Sequence, residues 1–361
     1  MKLTKCLLGE LITQRREKSD GTPLPIRGVS KEGLIPPKQI DADTSIYNVF
    51  YLNDFIFNPA RMELNSIAFN NTYEKAICSS LYEVFYVSRT DLILPEFLEL
   101  IVKQEWFTRY CEFLGQGSAR EYCRFANISE IEIEFPPIEQ QKKIVDYNKI
   151  IKLRISILRQ INDNLEAQAY TIYKDWFIDN GEQHGATNCS LSDIFEIHDS
   201  RRIPLSSQER AERAKIYPYY GAAGLLDYVD NYLFDGIYLL MGEDGSVVTE
   251  QGYPYLQYIW GHFWVNNHAH ILQGKNGIST EALYLILKKT NIKEFVTGAV
   301  QAKMSQENLR SIPTITLNQD ELIKFDAIIQ PIFALIRNNR CEIEKLEDLK
   351  KQIQGKLSSN F

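Results

Sequence analysis

The chain has 361 residues, of which 44% are hydrophobic and 24% charged, with a formal net charge of −7. That length suggests two or three domains, the composition argues against long disorder, and no apolar run approaches the roughly 20 residues that cross a bilayer. The acidic balance counts against DNA binding by the chain as a whole, because phosphate contacts need Lys and Arg, yet its 40 basic residues are enough to build a local basic face.

Met1 to Lys5 leads straight into a strand-like stretch without the apolar region of a signal peptide, so a cytoplasmic location is expected. Residues 1–136 read as an α+β domain. Apolar runs such as Val49-Phe50-Tyr51 and Val84-Phe85-Tyr86-Val87, punctuated by Gly, Asn and Asp, predict strands, and a short helix is expected near 95–106. A loop at Gly115 to Gly117 and a final strand then lead to Pro136-Pro137-Ile138-Glu139. Proline with its preset φ and a carboxylate at the positive end of the dipole predict a helix start there.

Over 137–181, Ile144, Ile151, Leu158, Leu165 and Ile172 recur every seven residues, with Tyr147, Ile155, Ile161 and Ala169 beside them. This is a heptad seam on one long helix, ended by Asn180-Gly181. Residues 182–316 read as a second domain of the same plan, with a strand at Tyr238-Leu239-Leu240-Met241, a short helix near 280–289 and a loop after Gly298. Over 317–361 a second long helix is expected, capped by Asn318 with Glu321 three residues on. It puts Phe325, Ile332, Leu346 and Ile353 at one heptad position and Ile328, Leu335 and Leu349 at the other, with Asn339 interrupting the seam as a candidate register pin.

The two halves repeat one another. Gly117 and Asn127-Ile128-Ser129-Glu130-Ile131 recur, at unchanged spacing, as Gly298 and Asn308-Leu309-Arg310-Ser311-Ile312, and Pro95-Glu96-Phe97-Leu98 recurs as Thr280-Glu281-Ala282-Leu283. The fold class that follows is α+β: two tandem α/β domains joined by two long helices that pair as an antiparallel coiled coil, with an internal pseudo-twofold.

Motifs for chemistry are missing from the string. An adenine methyltransferase needs Asn/Asp-Pro-Pro-Tyr/Phe, and neither Asn58-Pro59-Ala60-Arg61 nor Phe135-Pro136-Pro137-Ile138 supplies it. No phosphate loop of the Gly-x-x-x-x-Gly-Lys-Ser/Thr type occurs, so no ATPase site is expected, and no cofactor is expected for the chain. The six cysteines include no Cys-x-x-Cys pair and read as reduced thiols. His262, His268 and His270 fall in one aromatic strand. With no acidic or Cys residue near at useful spacing they read as ordinary strand histidines, with His268 a candidate DNA contact and no metal expected.

Several stretches resemble one family. Phe135-Pro136-Pro137-Ile138-Glu139-Gln140-Gln141 is similar to the Pro-Pro-x-x-Glu-Gln helix entry of type I restriction-modification specificity subunits. Tyr217-Pro218-Tyr219-Tyr220-Gly221 resembles their Tyr-Pro-x-Tyr-Gly stretch, and Gly298-Ala299-Val300-Gln301-Ala302-Lys303-Met304 their Gly-x-x-Gln-x-Lys-Leu loop. Two departures stand out: Thr316-Leu317-Asn318-Gln319 lacks the Pro-Pro, and Arg120 stands in the first-half loop where Gln and Lys are usual.

The resemblance implies a non-catalytic subunit. Its two target recognition domains would read an asymmetric bipartite site on double-stranded DNA. Two methyltransferase subunits and the restriction (translocase and nuclease) subunits would dock on it, with no membrane partner. A stand-alone nuclease and an adaptor scaffold that reads no bases are the alternatives. Arg and Lys read guanine and Asn and Gln read adenine, usually from loops. The candidates are Arg27, Lys31, Asn65, Asn70, Ser79, Gln116 and Arg120 in the first half. In the second they are Arg201, Arg202, Tyr219, Asn266, Asn267, His268, Gln301 and Lys303.

Overall fold

The computed structural model describes residues 3–40, 43–115, 122–298 and 301–358. The chain divides into two compact units, one made of residues 1–157 with 342–361 and the other of residues 158–341. Each unit therefore holds a globular domain together with a piece of both long helices.

In the first unit the opening strand Thr4–Leu7 pairs antiparallel with Glu132–Phe135. Pro136 and Pro137 cannot extend that ladder, and the long helix Ile138–Lys174 starts directly after them. Between the paired strands lies an antiparallel sheet in the order Ile12–Arg15, Glu83–Val87, Asp54–Phe57, Ile67–Phe69. Successive residues of Asp54–Phe57 face opposite ways. Phe55 and Phe57 join Phe85 under the helices Pro95–Val102 and Glu105–Gly115, where Phe97, Leu98, Ile101 and Phe107 are buried. Ile56 faces the other way, into a second core with Phe50, Ala76 and Cys78 from the strand pair Asn48–Tyr51 and Lys75–Cys78. Both faces of that strand are covered, which is why it reads as a continuous apolar run.

The second unit repeats the frame. Thr187–Ser190 pairs antiparallel with Pro313–Thr316, the helix Thr280–Lys288 stands where Pro95–Val102 does, and Gln306–Ser311 where Phe125–Ser129 does. Inside the frame the plan differs from its counterpart. Here one six-stranded sheet runs Phe195–Ile197, Ala269–Gly274, Phe234–Gly242, Leu256–Val265, Tyr217–Gly221, Gly224–Val229. One neighbouring pair, Tyr217–Gly221 with Leu256–Val265, is parallel. Ala282, Leu283 and Ile286 of the helix pack on Leu239, Met241, Tyr258 and Leu272 of the sheet.

The helix pairing appears within each unit. In the first, Arg154 Nε lies 2.8 Å from Glu342 Oε1. In the second, Asn339 Nδ2 donates to Asn162 Oδ1 at 2.8 Å, and Phe177 meets Phe325 edge-on with centroids 5.1 Å apart. Between 162 and 177 the partner numbers fall from 339 to 325, so the helices run antiparallel there. The second helix, Gln319–Ser358, begins with the expected cap, the Glu321 amide donating to Asn318 Oδ1 at 3.1 Å. The first ends differently from expectation: α-winding stops at Lys174 and the turn Asp175–Asp179 is π-wound, with the Asn180 amide donating to the Asp175 carbonyl.

The first heptad position of each helix matches the structure; of the second, Ile155 and Ala169 match it and the others lie one residue off. Ile151 and Leu158 are buried, but Tyr147 and Ile161 are 61% and 40% exposed. The buried second position is Asn148, Ile155, Asn162 and Ala169. On the second helix Ile329 and Ile336 are buried, while Ile328, Leu335 and Leu349 are exposed. One residue along a helix turns a side chain by about 100°, so an apolar residue next to the buried one (an amide on the first helix, Ile329 and Ile336 on the second) falls outside the buried stripe.

Candidate nucleic-acid interface

In the first unit the strand pair Gly28–Ser30 and Gly33–Ile35 carries Lys31 at its exposed tip. Gly33, at φ +124°, supplies a turn conformation that side chains with a Cβ rarely adopt. The hairpin is held from below: Lys103 Nζ donates to the carbonyls of Lys31 at 2.8 Å and Ile67 at 2.5 Å. Burial pushes the Lys103 amine down to about 8.

Beside the hairpin a groove of about 600 Å³ is lined by Arg27, Lys38, Gln39, Arg61, Ser79 and Ser80 among others, and none of the described lining residues is acidic. Arg27 donates from Nε to the Tyr73 hydroxyl at 2.6 Å and stacks its guanidinium 4.7 Å from the ring centre, which orders its planar fork. A net-negative chain thus concentrates cations in one concave place. Lys38, Gln39 and Arg61 were not foreseen. The loop string Pro36-Pro37-Lys38-Gln39 carries a signal for two of them, while Asn58-Pro59-Ala60-Arg61 resembles a catalytic motif rather than a DNA contact in the sequence.

Two first-half expectations are corrected. Asn65 is buried in a left-handed cap at φ 52°, with its amide donating to the Val102 carbonyl at 2.8 Å and to Thr108 Oγ1 at 2.7 Å. Asn70 is fully buried: its Nδ2 donates to the carbonyls of Tyr51 and Tyr73, and its Oδ1 accepts the Thr72 and Tyr73 amides. The Asn70 amide is fully spent on its turn, and Asn65 is buried with both donor contacts inside the fold, so neither side chain is displayed to a base. Ser79 lies in the groove, and its hydroxyl accepts the Leu81 amide at 3.3 Å. Gln116 and Arg120 lie outside the described residues.

In the second unit the exposed candidates converge. His268 Nδ1 lies 2.7 Å from Asp244 Oδ1, and Asp244 bridges Lys303 through the backbone. Lys303 also pairs with Thr297 in both directions, at 2.8 and 2.9 Å, closing a tight loop that presents Gln301 and Lys303 to solvent. Only glycine fits the turn: Gly298 has φ +92°, and a Cβ there would meet the Gln301 carbonyl at 2.0 Å. Asn267 is exposed beside His268. Arg201 is exposed, donates to the Leu233 carbonyl at 2.8 Å and lies over the Phe234 ring.

Three second-half candidates turn inward. Tyr219 is 1% exposed, with its hydroxyl accepting the Leu205 amide. Asn266 is buried and caps the turn by accepting the His268 amide at 2.9 Å. Arg202 is held by Glu243 at 2.6 Å and Asp199 at 3.4 Å, its side chain 13% exposed.

A repeated α+β domain, each copy tied to a long helix and each displaying a polar loop surface with cations, defines a helix-mounted recognition protein. The family model described as the type I restriction modification DNA specificity domain matches residues 44–167 and 185–345, most of the chain, and the chain belongs to that family. The resemblance read from the motifs is thereby borne out. A putative type I restriction enzyme specificity subunit of Haemophilus influenzae is 36% identical over 123 residues, covering 34% of this chain and 31% of that protein. The MjaIX specificity subunit of Methanocaldococcus jannaschii is 22% identical over 301 residues, covering 74% of this chain and 69% of that protein. Among the curated relatives it matches, the match spans from about a fifth to about two thirds of their length. The crystal structure of a type I restriction-modification S subunit from M. genitalium shares the fold at TM-score 0.63 and 15% identity, covering 99% of this chain and 96% of that one. Among the described residues no helix is long and apolar enough to cross a membrane.

Proposed function

We propose that this chain reads an asymmetric, bipartite site on double-stranded DNA, one half-site with each domain, for a cytoplasmic methyltransferase and restriction complex whose chemistry lies in other subunits. The observation that carries this reading is the repeated frame, two different domains each closed by a terminal strand pair that runs into a long helix, in a member of the specificity family. Different loops on one frame suit two half-sites of different sequence. Methyltransferase subunits would dock on apolar helix surface that the fold leaves open: Tyr147, Ile150, Leu153 and Ile157 share one face and are 40–62% exposed. Restriction subunits would join the same assembly.

Methylome sequencing of cells with and without the gene tests the reading. Loss of one bipartite methyladenine motif is expected on deletion, and an unchanged methylome would overturn it. The groove has its own test. Lys38→Ala and Arg61→Ala are each expected to weaken duplex binding by the assembled methyltransferase complex and to lower its log–log salt slope by about 1. Anisotropy titrations over a salt series measure this, and two unchanged slopes would take the groove out of the interface.

A further inference from the structure

Four ionisable side chains of the second unit pack into one cluster behind the exposed loops. Asp199, 6% exposed, accepts from His270 Nδ1 at 2.6 Å, from Gln306 Nε2 at 2.7 Å and from the Ile271 amide at 2.9 Å. His270 is fully buried, and its Nε2 lies 2.9 Å from the Met304 carbonyl, which can only accept. Glu243 Oε2 sits 2.6 Å from Arg202 NH1 and 3.8 Å from His270 Nδ1. Burial pushes the Asp199 carboxyl up, but the hydrogen bond and charge of His270, the Ile271 amide and Arg202 outweigh it and hold the group below the usual carboxylate range.

Asp199, Glu243 and His270 bring ligand atoms within 4.8 Å of one another, a spacing that could suit a metal ion. Arg202 already supplies a cation to both carboxylates, and both ring nitrogens of His270 are engaged. The cluster is an ion network, and what it holds is backbone.

It reaches three surface segments. Asp199 and Arg202 flank Arg201 in one turn. Arg202 NH1 donates to the carbonyls of Asn267 at 3.3 Å and Ala269 at 2.8 Å, on both sides of His268. Met304 is tied at both ends of its peptide unit, its carbonyl to His270 and its amide to the Glu243 carbonyl at 2.8 Å. It directly follows the loop that displays Gln301 and Lys303.

We infer that this cluster sets the base preference of the second domain, with His270 the positioning residue for the Gln301 to Lys303 loop and Arg202 the positioning residue for the Asn267 to His268 turn. The inference rests on the DNA-reading function proposed above. Readout of a base edge tolerates about 0.5 Å of displacement, and one good contact is worth roughly tenfold to a hundredfold discrimination. A cluster that fixes two loops therefore acts on sequence preference without touching DNA.

Variants His270→Leu, His270→Gln and Arg202→Met, expressed with the methyltransferase subunits, test it by methylome sequencing. Preference is a ratio between matched and mismatched sites, so it is read independently of how much folded chain is present. Expected are about tenfold relaxation by His270→Leu in the half-site that Lys303→Ala changes, an intact other half-site, and partial recovery in His270→Gln, which keeps one donor. Arg202→Met should relax the same half-site at a different base. Equal decline at both half-sites, or full preference in His270→Leu and Arg202→Met, would overturn the inference. A wild-type methylome without any bipartite motif would remove the reading function itself.

Discussion

Replacing Glu281 by alanine is expected to destabilise the second unit by about 3–5 kcal/mol, because it strands a largely buried cation. Glu281 is 3% exposed. Its Oε1 accepts from the Tyr258 hydroxyl at 2.6 Å and from Arg337 NH1 at 2.8 Å, and its Oε2 from Gln330 Nε2 at 2.9 Å. One carboxylate thus ties the helix Thr280–Lys288, a central sheet strand and the second long helix. Burial and the adjacent carboxylate push the Tyr258 phenol far above its usual range, so it stays a donor at any working pH. Arg337, with its side chain 20% exposed, would be left without its counter-charge. The double variant Glu281→Leu with Arg337→Met should recover most of the loss, since replacing a whole buried pair by apolar groups is often near neutral. Urea unfolding followed by tryptophan fluorescence measures both, because Trp176, Trp260 and Trp264 lie in this unit and only Trp106 lies in the other. A cost below 1 kcal/mol for the single variant would mean that the helix is held by its apolar face alone.

Glu281 was invisible as a sequence feature, and the reason generalises. Apolar periodicity marks the long helices, and matching strings at constant spacing mark the repeat, because both are local features of the chain. Periodicity misplaces polar residues inside the fold. Asn162 and Asn148 are buried, yet apolar spacing picks out Ile161 and Tyr147 next to them, which are exposed. Asn339 was seen as an interruption, but its partner, Asn162, lies 177 residues away and no local pattern joins them. His270 looked like an ordinary strand residue for the same reason: its acids, Asp199 and Glu243, come from other parts of the chain. Reading loops by polarity failed in the mirror image. Asn65, Asn70, Asn266 and Tyr219 have the right chemistry for bases and spend it on turns and backbone. The frame was legible because duplication writes it twice. The different sheets inside the frame were not, because they depend on pairings that span tens of residues.

The exposed face of the first long helix carries the second large prediction. Ile150→Glu together with Leu153→Glu should weaken association with the methyltransferase subunit by two to four powers of ten, while the variant chain itself folds normally. Both side chains are more than 60% exposed, so the free chain loses little when they become charged. An interface that buries them gains roughly 1.5–3 kcal/mol from each, and a carboxylate in its place must be desolvated against an apolar partner. Two such losses together give the expected range. Ile151 and Ile155 on the seam side of the same helix serve as the contrast: they are buried, so charging them should unfold the first unit rather than spare it. Co-expression with the methyltransferase subunit, followed by size-exclusion chromatography and thermal melting of the chain, separates the two behaviours. Normal association by the Ile150→Glu and Leu153→Glu variant would show that this face is open to solvent in the assembly as well, and docking would have to use the exposed side of the second helix, where Leu349 stands in the same unit.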